Sequence, residues 1–250
     1  MSFNKFFDAP EVDGEQAKAD FIKHLDDLKA MDVREQTLYQ KWYEVTSDYK
    51  WAYNKASIMK ANIWRPTDLN NKELTLKDLH ALRPRLRFIE KDDKKGIEDW
   101  MIYRVFVSTF NFDQNPGRFL RFLLEDEVTG KILGVTSLGS DVISIGCRDR
   151  WIGWTEEQKL KGMLNHTTIG TTIVATQPFG YNFLGGKLMA AMLVTDEVRS
   201  VWKREYGETL VGVTTTSLYG DGSMYNNIPW WRSLGETMGK IPLKPMDDHY

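Results

Sequence analysis

Gly146-Cys147-Arg148-Asp149-Arg150-Trp151-Ile152-Gly153-Trp154 sets two arginines, an aspartate and two tryptophans between glycines. Guanidinium groups beside indole faces can hold an anion by charge and stack a planar group. Asp149 lies between two cations that favour its ionised form, and it can turn Arg150 toward a phosphate or a base edge. Trp151 and Trp154 offer a platform for a nucleobase. Arg148, Arg150, Trp151 and Trp154 are therefore candidate nucleic-acid ligands, and Asp149 a candidate catalytic residue. An interrupted strand with a structural Arg–Asp pair is the competing account of the same residues.

Three other stretches carry chemistry. Gln177-Pro178-Phe179-Gly180-Tyr181-Asn182-Phe183-Leu184-Gly185-Gly186-Lys187 joins a β-branched run to a helical one. Free amides and the positive end of a helix dipole meet an anion at such a junction. Gln177, Gly180, Asn182, Gly185 and Gly186 are the candidate donor-binding residues there. The alternative is that Asn182 caps the helix while Gly185 and Gly186 let it pack close to the sheet. Tyr225 is a candidate general acid, a role that needs a phenol within hydrogen-bond reach; a packed tyrosine is the alternative. Arg83, Arg85 and Arg87 alternate along an extended segment and share one side of it. That ladder is the densest basic face and a candidate phosphate contact, or else a strand edge guarded by charge.

The positioning elements follow from periodicity and breakers. An arm of about a dozen residues, bearing Phe3, Phe6 and Phe7, precedes a helix over 15–30 with Ala19, Ile22, Leu25 and Leu28 at helical spacing. Asp32 and Glu35 have capping-box form and open a second helix reaching about Asn62, rich in aromatics interleaved with lysines. Another helix starts at Thr75. Residues 91–96 form a charged turn that divides an N-terminal arm and helical region, 1–96, from a second domain, 97–250. In the second domain, 100–110 is an apolar segment of ambiguous type and 111–117 a loop. Strands over 118–125 and 131–138 make a hairpin. Next come a helix over 156–164, a strand over 170–176, a long helix over 184–206, a strand over 210–216 and a short irregular helix over 224–234. Strand–helix–strand in one sheet implies a right-handed crossover and parallel neighbours. The fold class is α+β, a mixed sheet with a crossover helix.

With 250 residues the chain can bury a full core and an accessory piece. A formal charge of −2 excludes a global positive field, so any nucleic-acid contact must be local. One cysteine and four histidines exclude an internal disulfide and speak against a Cys/His zinc site, so no metal is assigned. A reducing cytoplasm fits, and no apolar run reaches the roughly 20 residues of a membrane span.

Residues 148–154, read as Arg-Asp-Arg-Trp-Ile-Gly-Trp, resemble a motif of the family of the Druantia anti-phage protein DruA. Pro178 and Asn182 resemble that family's turn. Tyr225, Asn227, Leu234, Gly235, Thr237 and Gly239 match its C-terminal stretch, while Met224 stands in place of its cysteine and Asn226 in place of its basic residue. Where relatives commonly carry Glu-Thr, residues 213–216 read Val-Thr-Thr-Thr, so Asp221 or Glu125 would have to supply the carboxylate. These matches span about 118–240. The element order also resembles the core of the GNAT acyltransferases, whose Arg/Gln-x-x-Gly-x-Gly/Ala turn is met by Gln177 and Gly180 but not by Asn182. The resemblance implies a DNA-associated protein of bacterial or phage origin, in phage defence, mobile elements or DNA modification. Its donor is unidentified, with acyl-CoA or another small molecule as candidates. A nucleobase-modifying transferase, a non-catalytic nucleic-acid-binding module and an assembly protein all stay open.

Overall fold

The computed structural model describes residues 13–33, 35, 51, 52, 55, 59–108, 117–216, 225 and 227–234. The phenylalanine arm, most of the aromatic second helix, the 111–117 loop apart from Gly117, Asp221, Met224, Asn226 and residues 235–250 lie outside them.

Helix α1 (Gly14–Ala30) begins where Asp13 accepts a hydrogen bond from Glu15 N at 3.1 Å. The Asp32–Glu35 box is formed in both directions, at 2.8 and 3.2 Å. Helix α2 (Lys72–Ala81) starts earlier than the expected Thr75, because Asn71 caps it by accepting from Leu74 N at 3.1 Å. Thr75 instead turns inward and donates to Asp68 O at 2.8 Å.

Strand β1 (Pro84–Ile89) leads through the charged turn, where Asp93 caps helix α3 (Lys94–Val107). The apolar segment of ambiguous type is thus mostly the body of α3. Strands β2 (Phe119–Asp126) and β3 (Ile132–Ser140) form the expected hairpin. Two short helices, α4 (Gly146–Ile152) and α5 (Glu156–Leu160), precede strand β4 (Thr167–Ala175). Helices α6 (Phe179–Asn182), α7 (Gly185–Met192) and α8 (Asp196–Tyr206) then lead to strand β5 (Gly212–Thr214). The sheet order is β1-β2-β3-β4-β5, antiparallel except for the last pair. This is an α+β fold with a mixed five-stranded sheet. Strand β1 lies before residue 96, and it pairs with β2 along its whole length.

The sheet is covered on both faces. Leu120, Phe122 and Leu124 of β2 meet Met189, Leu193, Val198 and Trp202 of the helical connection on one side. Phe119 and Leu123 meet Trp100 and Tyr103 of α3 on the other. Alternation along one strand therefore feeds two cores.

The helix expected over 156–164 stops at Leu160 and the strand expected over 210–216 is confined to Gly212–Thr214, while two further helices differ in kind. The 184–206 helix is broken between α7 and α8, where Val194 and Thr195 are β-branched and Asp196 and Glu197 open a new first turn. Among the described residues of 224–234 there is no helix. Asn227 and Trp230 have φ of 65° and 73°, and Pro229 between them has no N–H to donate.

Candidate functional site

The 146–154 run is a helix with two unlike faces, not an interrupted strand. Helix α4 ends at Gly153, whose φ of 85° turns the chain so that its N–H reaches Asp149 O at 2.8 Å. Arg148 points inward and is 2 % exposed. Its Nε and Nη2 donate to Asp149 Oδ1 at 2.8 and 2.6 Å, and Nη1 and Nη2 donate to the carbonyls of Val142 and Ile143. Asp141 Oδ2 lies 3.0 Å from Nη1 as an ion pair. Lys159 of α5 donates to Asp149 Oδ2 and to Glu156 Oε1, each at 2.7 Å. Thr214 of β5 donates to Asp141 Oδ1 at 2.8 Å.

Two buried cations and two buried anions thus cross-link the end of β3, α4, α5 and β5. Burial alone would raise the Asp149 carboxyl, but the bonds from Lys159 and Arg148 outweigh it and hold the group below its ordinary value. Asp149 consequently engages Arg148 and Lys159, not Arg150 as its sequence position suggests. Half-buried Trp154 lies under the Arg148 guanidinium, 5.4 Å from carbon to ring centroid, and belongs to this inner face. Arg150 and Trp151 face outward. Trp151 is 61 % exposed, and Arg150 has no partner among the described residues.

The second candidate lies at the opposite end of β4. Strands β4 and β5 pair only over Thr167–Ile169 and Gly212–Thr214. No described strand continues along 170–175 on that side. The β3–β4 register skips Thr171, a bulge just where the β5 pairing stops. Beyond β4, the Gln177–Pro178 peptide is cis. Gln177 accepts from Tyr181 N at 3.0 Å and so serves its own turn. Gly180 packs on Ala175, where an added Cβ would stand 3.2 Å from the alanine methyl. Asn182 is exposed at the end of α6, and Leu184, not Asn182, occupies the N-cap of α7. At Gly185 a Cβ would stand 2.5 Å from the Phe179 ring and 2.8 Å from its carbonyl, so this glycine is required by helix packing. Gly186 follows it, half-buried, in the first turn of α7. Tyr225 stacks obliquely on Trp231 at 5.3 Å, and Trp231 Nε1 donates to Ala190 O of α7 at 3.0 Å. Burial pushes the Tyr225 phenol up to about 12, so at neutral pH it keeps the proton that an acid must give.

The arginine ladder lies on the edge strand β1. Arg85 pairs with Glu127 at 3.5 Å and Arg87 with Glu125, across the β1–β2 ladder. Arg83 donates to the carbonyls of His80 and Leu82 at the end of α2. Glu125 is thereby committed to Arg87 and lies three strands away from β5, the strand whose missing carboxylate it would have to replace. The carboxylate that does meet β5 is Asp141.

The family described as Druantia protein DruA matches residues 31–248. The chain belongs to that family. The DruA match begins well before the 118–240 stretch that carries the recognisable motifs, so α2, β1 and α3 are also family structure. The Druantia protein DruA of Escherichia coli (strain UMEA 4076-1) is 31% identical over 165 residues, which cover 58% of this chain. They cover 40% of that relative, so the chain matches well under half of its length. No solved structure matches the chain.

Sequence reasoning missed several polar residues of this DruA-family fold. Asp141 and Lys159 complete the α4 network, yet each is isolated in sequence and only the fold brings them together. Lys91, Arg118, Arg121 and Tyr206 converge on a cavity beside the sheet. The alternation of Arg121 with apolar neighbours in β2 was the one available signal, since it puts a cation on a core-facing position. Among the described residues no helix is long and apolar enough to cross a membrane.

Proposed function

We propose that this chain acts in anti-phage defence of the Druantia type, and that it contacts nucleic acid through the outward face of α4. The division of the α4 motif carries this reading. Arg148 and Asp149 are consumed internally, whereas Arg150 and Trp151 are both exposed. An exposed guanidinium with no partner among the described residues, next in sequence to an exposed indole, suits one phosphate and one unstacked base. The buried network behind them holds the helix in place, which favours a fixed platform over a flexible arm.

Fluorescence anisotropy with labelled single- and double-stranded DNA tests the reading. The Trp151→Ala variant should lose about 1–3 kcal/mol of affinity while its melting temperature is unchanged. Equal affinity in wild type and in the Arg150→Ala, Trp151→Ala double variant removes α4 as the contact.

A second reading, a transferase with a small-molecule donor, is supported by the early end of the β4–β5 pairing. A GNAT-like arrangement would place the donor's amide arm along 170–175, where no described strand pairs on that side, with Tyr225 as proton donor. The Gln177 and Gly185 contacts serve the turn's own packing and count against that arrangement. Melting temperatures with acetyl-CoA, other CoA esters, S-adenosylmethionine and nucleotides decide it. A donor at 100 times its dissociation constant stabilises the fold by about 2.7 kcal/mol. No shift with any of them leaves the non-catalytic reading.

A further inference from the structure

We propose that the cavity where β1, β2 and β3 meet α8 is a second ligand site, distinct from the α4 face, and that it takes a phosphate monoester. It is a solvent-open pocket of about 580 Å³, lined by Lys91, Arg118, Phe119, Arg121, Ser140 and Tyr206, together with Gly117. That volume suits a mononucleotide-sized ligand, since small-molecule sites run from about 300 to 1,000 Å³.

The wall is built almost wholly of donors. Ser140 Oγ accepts from Arg118 N, and Tyr206 OH accepts from Phe119 N, each at 2.9 Å. With both oxygens used by backbone amides, both hydroxyl hydrogens are left to point at a ligand. Burial raises the Tyr206 phenol, so that hydrogen stays in place at neutral pH. Three cations complete the wall. Lys91 pairs with Glu205 at 3.2 Å, and Arg118 with Glu208. Arg121 has no acidic partner among the described residues. Its guanidinium carbon lies 4.6 Å from the Phe119 ring centroid and 5.7 Å from that of Trp100, and its Nε is buried without a hydrogen-bond partner. Among the described residues, three cations against two carboxylates leave the site one positive charge in excess. A guanidinium cannot shed its proton to escape this, and buried charges are otherwise paired. An anion that accepts from several donors at once answers every one of these features, and a phosphate monoester does so better than a single carboxylate. Its source is either a free nucleotide or the 5′ end of a strand.

Titration of the full chain with AMP against adenosine, and with 5′-phosphorylated against 5′-hydroxyl oligonucleotide, tests this and separates the two sources. At least a tenfold preference for the phosphorylated member of either pair is expected. Arg121→Met should abolish that preference without lowering the melting temperature, because it replaces a half-buried cation that has no acidic partner among the described residues with an apolar chain. A reading independent of any variant is the Arg121 Nε–H resonance, which should shift on adding AMP and not on adding adenosine. No preference in either pair, a preference retained by Arg121→Met, or an unmoved resonance overturns the site. The Arg150 and Trp151 variants should retain the AMP preference, so failure of the α4 reading and failure of this one are distinguishable.

Discussion

Arg148 and Arg150 are two residues apart and do opposite work. Arg148 holds two largely buried carboxylates, and removing one member of such a network leaves the others uncompensated. Arg148→Ala should therefore cost about 3–5 kcal/mol in urea unfolding. Arg150→Ala should stay within about 0.5 kcal/mol, the range for surface changes. Trp154 sides with Arg148, so Trp154→Ala should lower stability where Trp151→Ala does not. The carboxylates also set an acid limit. At Asp149 burial raises the carboxyl, but bonds from Lys159 and Arg148 bring it below 3.8. At Asp126 burial is likewise outweighed, by Thr129 and the Arg83 amide. At Glu208 the bond from Arg118 leads and lowers the group below 4.5. A carboxyl whose folded value is depressed stabilises the fold above its unfolded value and loses that contribution as pH falls through the folded one. The urea midpoint should thus hold from neutrality down to about pH 5 and drop steadily below about pH 4. A midpoint unchanged at pH 3 would show that these bonds contribute nothing to folding.

At the level of elements, local signals with a single cause were legible. The capping form at Asp32–Glu35 closes as a box. The β2–β3 hairpin, the β4 strand and the parallel crossover to β5 follow from alternation and β-branching. Where reading failed, a tertiary contact had decided. Residues 146–154 contain no helix stop before Gly153 and no strand alternation, so their type depends on the Asp141 and Lys159 partners that sequence cannot place. The α7–α8 break is marked in the sequence only by the β-branched pair Val194 and Thr195 between two helix-forming stretches. Gly185 is the instructive case, since a glycine for ligand approach and a glycine for packing look identical in sequence. Its contact with Phe179 predicts that Gly185→Ala destabilises by about 1–3 kcal/mol through overpacking. Were the residue kept open for a donor instead, the variant would melt normally and lose only ligand stabilisation.

Across the whole molecule, charge argues for a small and local footprint. The chain carries a formal −2, and most cations of the ladder and the α4 motif are already engaged by Glu125, Glu127, helix carbonyls and Asp149. Each phosphate contact contributes about −0.9 to the salt slope on duplex and about −0.7 on single strands. Contact through Arg150 alone predicts a slope near −0.7 on single-stranded DNA. Release of Arg83, Arg85 and Arg87 from their partners would add three contacts and steepen it to about −2.8. Trp151 needs a base that is free to unstack, which a duplex withholds and a single strand offers. The expected outcome is therefore weak binding that favours single strands over duplex, with a shallow slope that the Arg150→Ala variant flattens further. Anisotropy titrations at 50 and 200 mM salt measure both quantities. A preference for duplex, or a steep slope retained by Arg150→Ala, would move the interface from α4 to the β1 edge, where the three arginines stand in line.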